Sequence, residues 1–142
     1  MIGLRSKKEA LRWLLAALMT AIGVAHFAAP TNFVRIVPAW LPHPLLLVHV
    51  SGAAEIAGGV GLVCPWPRLR RAAAWGLVAL YVAVFPANIN QAVNGIQFEG
   101  QSAPTWAFWV RLPFQVLFIA WALWYTRPDR RPSSQSSSFD NK

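Results

Sequence analysis

The sequence predicts an all-α fold, a bundle of four transmembrane helices with both termini in the cytoplasm. Three features of the chain carry this prediction: four long apolar stretches, a low content of charge, and basic residues that cluster on one side of those stretches. Hydrophobic residues make up 56% of the 142 residues and charged residues 13%, whereas a soluble domain carries about 25% charged residues. The length suits a single domain.

Each apolar stretch has the length that a transmembrane helix needs, because about 20 residues at 1.5 Å per residue cross a ~30 Å hydrocarbon layer. The four predicted spans cover residues 11–29, 45–64, 72–87 and 104–125. We therefore divide the chain into a basic cytoplasmic N-terminus (1–10), a four-helix membrane domain (11–126) and a cytoplasmic tail (127–142). The tail is basic and rich in serine, a composition that predicts disorder.

The segments between the spans are short. Residues 30–44 contain four prolines, which interrupt helices, so we predict a loop that lies at the membrane interface with Trp40 at the level of the lipid headgroups. Residues 66–71 form a tight basic connection, and residues 92–103 form a polar loop without Lys or Arg.

The positions of Lys and Arg predict the orientation. Of the 13 basic residues, 11 fall on the side of the two termini, Arg35 falls on the opposite side, and Arg111 lies within the fourth span. Lys and Arg concentrate on the cytoplasmic side of membrane proteins, so both termini are predicted to be cytoplasmic. The same distribution excludes nucleic acid as a partner, because these charges flank apolar stretches.

Small residues at every fourth position form stripes that favour close contact between helices in lipid. The stripes are Ala17, Ala21 and Ala25 in the first span, and Ala53, Ala57 and Gly61 with Ala54 and Gly58 in the second. We predict that these stripes are the surfaces through which the helices pack.

The carboxylate of Glu55 is the feature on which the functional prediction depends. It lies about 11 residues after Pro44, so ~16 Å into the second span at 1.5 Å per residue. A charge at that depth costs ~2.5–3.5 kcal/mol on insertion scales, so Glu55 needs a partner or a proton. Arg111 lies ~10 Å into the fourth span. Its side chain either reaches inward to pair with Glu55, which is the pairing we predict, or extends outward to the interface. The pair either fixes the register of the two helices or forms part of a functional site.

The polar residues of the spans share one half of the bilayer, and we predict that they line a cavity that faces outward. The candidate intramembrane polar site consists of Glu55, Arg111, His49, His26, Ser51, Asn88 and Gln115. Histidines near a carboxylate can relay protons or bind a metal. Because no His-x-x-x-His spacing or second cluster of ligands is present, no metal site is predicted. Cys64 is the single cysteine, and we interpret it as an apolar filler.

No catalytic signature appears in the chain. The sequence contains no glycine-rich phosphate loop, no Gly-x-Ser-x-Gly and no His-Glu-x-x-His motif, which are the patterns that would indicate a reaction class. No Cys-x-x-Cys or cofactor motif is evident either. Catalytic and cofactor-binding residues are therefore unassigned.

Five short motifs occur in order along the spans. They are Gly23-x-x-His26-Phe27, Phe33-x-x-Ile36-Val37-Pro38, Ser51-Gly52-x-x-Glu55-x-x-x-Gly59, Pro86-Ala87-Asn88 and Arg111-Leu112-Pro113-x-Gln115. From about residue 10 to residue 126 the chain thereby resembles the DoxX-like family of small bacterial membrane proteins. The resemblance implies a four-helix bundle in the bacterial cytoplasmic (inner) membrane and a link to respiratory redox chemistry, with quinone as the candidate cofactor. The founding member of that family is the small membrane subunit of a thiosulfate:quinone oxidoreductase.

Three functions stay open at this point. The first is an accessory or membrane subunit of a redox enzyme, in which any catalysis belongs to the complex. The second is a small transporter or binder of a lipophilic solute, because broken helices border substrate sites and Pro86 and Pro113 interrupt two spans. The third is a non-catalytic structural or assembly partner. The expected partners are the lipid bilayer and either a redox enzyme or a second copy of the chain.

Overall fold

The computed structural model describes residues 2–127, which form five helices. They are α1 (Ile2–Ala28), α2 (Pro30–Ile36), α3 (Pro44–Val63), α4 (Pro67–Asn94) and α5 (Thr105–Thr126). All except α2 contain a segment long and apolar enough to cross a membrane. The all-helical fold and its four candidate spans are thus confirmed. Residues 2–10 of the predicted N-terminal segment are part of α1, whereas residue 1 and the tail from residue 128 onward lie outside the described residues.

Prolines set the points at which three of the helices begin. Pro30, Pro44 and Pro67 each occupy the first turn of α2, α3 and α4, where the N–H that proline lacks has no partner within the helix. Helix α4 ends at Gly95, whose φ of 60° is in the left-handed region, and the N–H of Ile96 donates to the carbonyl oxygen of Gln91 at 3.2 Å. This is the usual glycine-terminated end of a helix.

Two of the predicted boundaries are wrong. Residues 30–36 form helix α2 instead of a loop. Pro30 lies in the first turn, where proline is tolerated. The next proline, Pro38, restricts Val37 to extended backbone, and Val37 is where the helix ends. Helix α4 begins at Pro67 and continues past Pro86 to Asn94. The three arginines of the predicted connection therefore lie in the first turns of α4, and the helix accommodates Pro86 as membrane helices often do.

Helices α1 and α3 approach each other most closely at glycines. A Cβ atom on Gly23 would lie 2.6 Å from the carbonyl oxygen of Gly52, and one on Gly59 would lie 2.7 Å from the carbonyl oxygen of Ala16. Real Cβ atoms do not come this close to a backbone oxygen, so this contact between α1 and α3 is possible only because glycine has no side chain at these positions. Close approach through small residues is typical of helices that pack in lipid.

The predicted alanine stripes are not this contact surface. Ala17 and Ala21 on α1, and Ala53 and Ala57 on α3, are exposed on the outside of the bundle. Of the second stripe on α3, Gly58 is buried and faces Leu77 of α4. A four-residue spacing occurs on several faces of an apolar helix, and it does not show which face meets a neighbour.

One half of the bundle is filled with side chains, and we call it the packed half. It lies toward the end where α1 begins and where α3 connects to α4. Its buried residues come from all four long helices: Leu15, Ala16, Met19, Leu62, Ala74, Leu77, Tyr81, Ala122 and Tyr125. Two hydroxyls are satisfied within it, since Tyr81 donates to the sulfur of Met19 and Tyr125 donates to the carbonyl oxygen of Lys8 at 3.0 Å.

The outer surface of the four long helices is largely apolar. Exposed side chains include Trp13, Leu14, Val24, Val60, Trp75, Val82, Val116 and Leu117. Soluble monomers rarely expose contiguous apolar surface on this scale. This surface matches helices that face hydrocarbon.

Candidate functional site

The other half of the bundle contains a cavity of about 370 Å³, and we call it the cavity half. The volume falls in the range of small-molecule sites, about 300–1,000 Å³. Side chains from all five helices line the cavity, and most of them are apolar. Met19 and Tyr81 line it where it meets the packed half, so they form its floor.

Six of the seven predicted site residues line this cavity. They are His26, Ser51, Glu55, Asn88, Arg111 and Gln115. The exception is His49, which is half-buried and stacks on Phe27 at 5.2 Å between ring centroids. At ~100° per residue, positions 48, 51 and 55 share one face of α3 and position 49 points away from it.

Glu55 is 6% exposed and lies one turn after Gly52 on α3. A Cβ on Gly52 would lie 2.7 Å from the Cβ of His26, so the missing side chain lets α1 bring His26 beside the carboxylate. The Nδ1 atom of His26 is 3.1 Å from Oε2 of Glu55. The close glycine contact between α1 and α3 therefore positions this acid–histidine pair.

The Oε2 atom of Glu55 lacks a hydrogen bond. His26 Nδ1 is closer to the carbonyl oxygen of Ile22, at 2.9 Å, and a ring nitrogen carries at most one hydrogen. Within residues 2–127 no other donor reaches Oε2, and the atom is buried. Leaving a buried acceptor unsatisfied costs about 1–3 kcal/mol, so this atom is a candidate contact for a ligand.

The predicted direct pairing of Glu55 with Arg111 is wrong. The side chain beside the carboxylate is His26, with Nδ1 at 3.1 Å from Oε2, and Nη1 of Arg111 donates to Oε1 of Gln91 at 2.8 Å. The guanidinium also lies 5.6 Å from the ring centroid of Phe98. The physical reason is that α4 continues past Pro86 and places the amide of Gln91 within reach of Arg111. Both Glu55 and Arg111 nevertheless line the same cavity.

A chain of amide hydrogen bonds joins α4 to α5. Nδ2 of Asn88 donates to Oε1 of Gln115 at 2.7 Å, and Nε2 of Gln115 donates to the carbonyl oxygen of Tyr81 at 2.7 Å. Ser51 is satisfied on its own helix, because its hydroxyl donates to the carbonyl oxygen of Val48 at 2.9 Å. Asn88, Gln115 and Ser51 therefore each have a hydrogen-bond partner within the protein.

Gln91 is the residue of the site that sequence reasoning missed. It is 1% exposed, accepts from Arg111, and donates through Nε2 to the carbonyl oxygen of Ile96 at 3.1 Å. The spacing in the sequence could have identified it, since Gln91 follows Asn88 by three residues and shares its helix face. It was overlooked because the third span was predicted to end before residue 91.

Helix α2 closes the end of the cavity that lies away from the packed half. Phe33 stacks on His26 with 3.8 Å between ring centroids and an interplanar angle of 20°, and Ile36 lines the cavity wall. Two hydrogen bonds hold α2 in place: Asn90 Nδ2 to the carbonyl oxygen of Ile36 at 3.0 Å, and the N–H of Glu99 to Oδ1 of Asn32 at 2.7 Å.

Part of the cavity lining is also part of the outer surface. Leu47, Val50 and Phe114 line the cavity and are 39%, 57% and 54% exposed. All three are apolar and lie within helices long enough to cross a membrane. The cavity thus reaches the apolar exterior of the bundle, whereas its polar residues lie inside.

The potential metal ligands of the cavity are few. Among residues 2–127, no group of three or more His, Cys, Asp or Glu side chains is arranged to hold a metal ion. Cys64 follows the last residue of α3, at the packed end, and is partly exposed.

The fold and the cavity together define an all-helical protein with four helices suited to cross a membrane and a polar site between them. The chain belongs to the family described as a domain of unknown function, DUF8561, whose family model matches residues 15–126. The matched region contains every residue of the cavity. No curated protein and no solved structure matches the chain.

Proposed function

We propose that this protein is a multi-pass membrane protein that binds a lipophilic small molecule in the cavity. The observation that carries the proposal is one space of about 370 Å³ that joins a buried carboxylate to an exposed apolar rim. A ligand with a polar end and an apolar body matches both parts. Its polar end contacts Glu55 and Arg111, and its body lies toward Leu47, Val50 and the lipid.

The cost of the charged groups supports a binding function. Glu55 and Arg111 lie within membrane spans, where each charge is expensive, and neither neutralises the other by direct contact. Buried polar groups that serve only to fix a register are normally fully hydrogen-bonded. Glu55 has an oxygen without a hydrogen bond, which favours a ligand-binding role over a purely structural role in fixing the helix register.

Quinone is the specific candidate ligand, and an accessory role in respiratory redox chemistry is the candidate context. The resemblance to DoxX-like proteins supports both. A flat ring with polar substituents suits a cavity lined by Phe33, Phe114 and Phe118 beside polar groups. In this role the protein supplies the binding site and a partner enzyme supplies the electron transfer.

The basic residues support an orientation with both termini in the cytoplasm of a bacterial cell, in the inner membrane. The end of the bundle where α1 begins carries Lys7, Lys8, Arg12, Arg68, Arg70, Arg71 and Arg127. The opposite end carries Arg35. By the positive-inside rule the first end is cytoplasmic, so the cavity half lies toward the outer leaflet.

Thiol labelling tests this orientation. Cys64 is the single cysteine and lies at the packed end, and Gln101→Cys in a Cys64→Ser background places a thiol at the other end. An impermeant maleimide should label Cys64 in inside-out vesicles and Gln101→Cys in intact spheroplasts. The reverse pattern would overturn the orientation.

Extraction of co-purified small molecules tests the binding function. The protein is purified in a mild detergent, and bound lipophilic molecules are identified by mass spectrometry. Ser51→Leu and Ala87→Leu fill the cavity and should abolish the bound species. Ala57→Leu, on the exposed face of α3, is the matched control and should retain it. A species that survives in the filled variants, or no species in any of them, would contradict the proposal.

A further inference from the structure

The geometry points to a neutral hydroxyl, of the phenol type, as the polar end of the ligand, donating a hydrogen bond to Oε2 of Glu55. This inference rests on the proposed binding function and adds the chemistry by which the cavity selects its ligand.

The first step is the acceptor itself. Glu55 is 6% exposed, lines the cavity, and has an Oε2 atom without a hydrogen bond within the described chain. A carboxyl group accepts hydrogen bonds in either protonation state. A ligand that brings a donor to this atom therefore gains a bond that the protein does not make. A ligand that presents only an acceptor there gains a hydrogen bond only where the carboxyl is protonated, since an ionised carboxylate has no donor.

The second step is that the polar side chains around the cavity make their observed hydrogen bonds to groups other than Glu55. The amide of Asn88 donates to Oε1 of Gln115, and the amide of Gln115 donates to the carbonyl oxygen of Tyr81. Arg111 donates to Gln91, and His26 is closest to the carbonyl oxygen of Ile22. None of these side chains donates to Oε2 of Glu55, which has no hydrogen-bond partner in the described chain.

The third step concerns charge. Arg111 lines the same cavity as Glu55, so a cationic ligand would share that cavity with a fixed positive charge. A neutral hydroxyl forms the hydrogen bond without bringing a further charge into a membrane span, where charge is costly.

The fourth step concerns the body of the ligand. Phe33, Phe114 and Phe118 line the cavity, and aromatic rings favour stacked or edge-to-face contact with another ring. Phe114 is also exposed at the rim. An aromatic hydroxyl with an alkyl chain therefore fits the polar interior, the aromatic wall and the apolar opening together.

A matched pair of probes tests the inference: 4-hexylphenol, and 4-hexylanisole, in which a methyl group replaces the donor hydrogen. Equilibrium binding is measured at pH 7, where a phenol is neutral, with the full chain in lipid nanodiscs and with empty nanodiscs to subtract partitioning. The phenol should bind about tenfold more tightly than the ether, as expected for a hydrogen bond to a carboxylate.

Variants at Glu55 locate the preference. Glu55→Gln weakens the acceptor, and the preference for the phenol should fall to about threefold. Glu55→Asp withdraws the acceptor by one methylene and should remove the preference, so it serves where Glu55→Gln does not fold. Glu99→Gln, an exposed carboxyl outside the cavity, is the matched control and should keep the full preference.

The outcomes separate the two proposals. Equal binding of both probes to the unmodified protein, or a preference unchanged in both Glu55 variants, overturns the hydroxyl inference and leaves cavity binding intact. Binding of neither probe above empty nanodiscs, together with no co-purified molecule, overturns the proposed function itself.

Discussion

The packed half and the cavity half of the bundle are built from the same four long helices, yet only one of them is filled. In the packed half, Leu15, Leu62 and Leu77 meet with essentially no exposed surface. In the cavity half, the same helices surround a space of about 370 Å³ lined by a carboxylate, a guanidinium and two amides. The comparison shows that the well-packed region stabilises the fold and the other region tolerates polar groups.

The two halves differ in how α4 meets the neighbouring helices. The α1–α3 contact runs through both halves, at Gly23 with Gly52 and at Gly59 with Ala16. Helix α4 contacts α3 closely in the packed half, where Leu77 lies against Gly58. In the cavity half, α2 contacts both α3 and α4. The cavity wall there is completed by Phe33 and Ile36 of α2.

Truncation of the same residue type in the two halves should give the largest difference. Leu77→Ala removes a fully buried side chain and should lower the free energy of unfolding by about 2–5 kcal/mol. Leu80→Ala, on the same helix, removes a partly buried side chain at the border between the packed core and the cavity and should cost clearly less. SDS-induced unfolding in bicelles measures both. Equal losses would show that the halves do not differ in packing.

The glycine contact should respond to a single methyl group. Gly52→Ala and Gly59→Ala place a Cβ within 3.0 Å of atoms of α1, and overpacking of this kind should cost about 1–3 kcal/mol. Gly76→Ala is the control, because no atom lies within 4 Å of its Cβ, and it should be neutral or slightly stabilising. If Gly52→Ala were neutral, the α1–α3 contact would not be what positions His26 beside Glu55.

The amide chain of the cavity half should contribute a smaller amount. Gln115→Leu removes the hydrogen bonds to Asn88 and to the carbonyl oxygen of Tyr81. Hydrogen bonds between membrane helices contribute about 0.6 kcal/mol on average and at most about 1.7 kcal/mol. A double-mutant cycle with Asn88→Ala should therefore give a coupling energy in that range. A coupling of zero would mean that the two amides act independently.

The smallest effect is expected at the surface beyond the cavity. Arg35 and Glu99 lie 3.8 Å apart and are both exposed, and exposed pairs contribute about 0–1 kcal/mol. Glu99→Gln should leave the thermal unfolding temperature within about 2 °C of the unmodified protein. A larger shift would indicate that the loop stabilises the cavity half more than its exposure suggests.

The sequence was sufficient for the number and approximate position of the candidate spans, because apolar stretches along the chain determine them, but it missed both ends of α4. It was also sufficient to place Glu55, Arg111 and Gln115 in the same half, since each position follows from the rise per residue. It did not determine rotation about the helix axes. Ala17 and Ala21 therefore appeared as a contact surface, although Gly23 makes the contact.

The partner of Glu55 was mispredicted for a related reason. Choosing between His26 and Arg111 required the distance between α1 and α3, which Gly52 determines. It also required the true end of α4, because Gln91 becomes available to Arg111 when the helix continues beyond Pro86. Neither quantity can be obtained from composition or spacing along one helix.

Phe98, in the loop between α4 and α5, contacts two residues that line the cavity. Its ring lies 5.6 Å from the ring of Phe33 and 5.6 Å from the guanidinium of Arg111. Any occupant that shifts either neighbour also shifts this loop. A fluorophore attached at the nearby exposed Gln101 would therefore report filling of the interior from the aqueous side, without modifying the residues that form it.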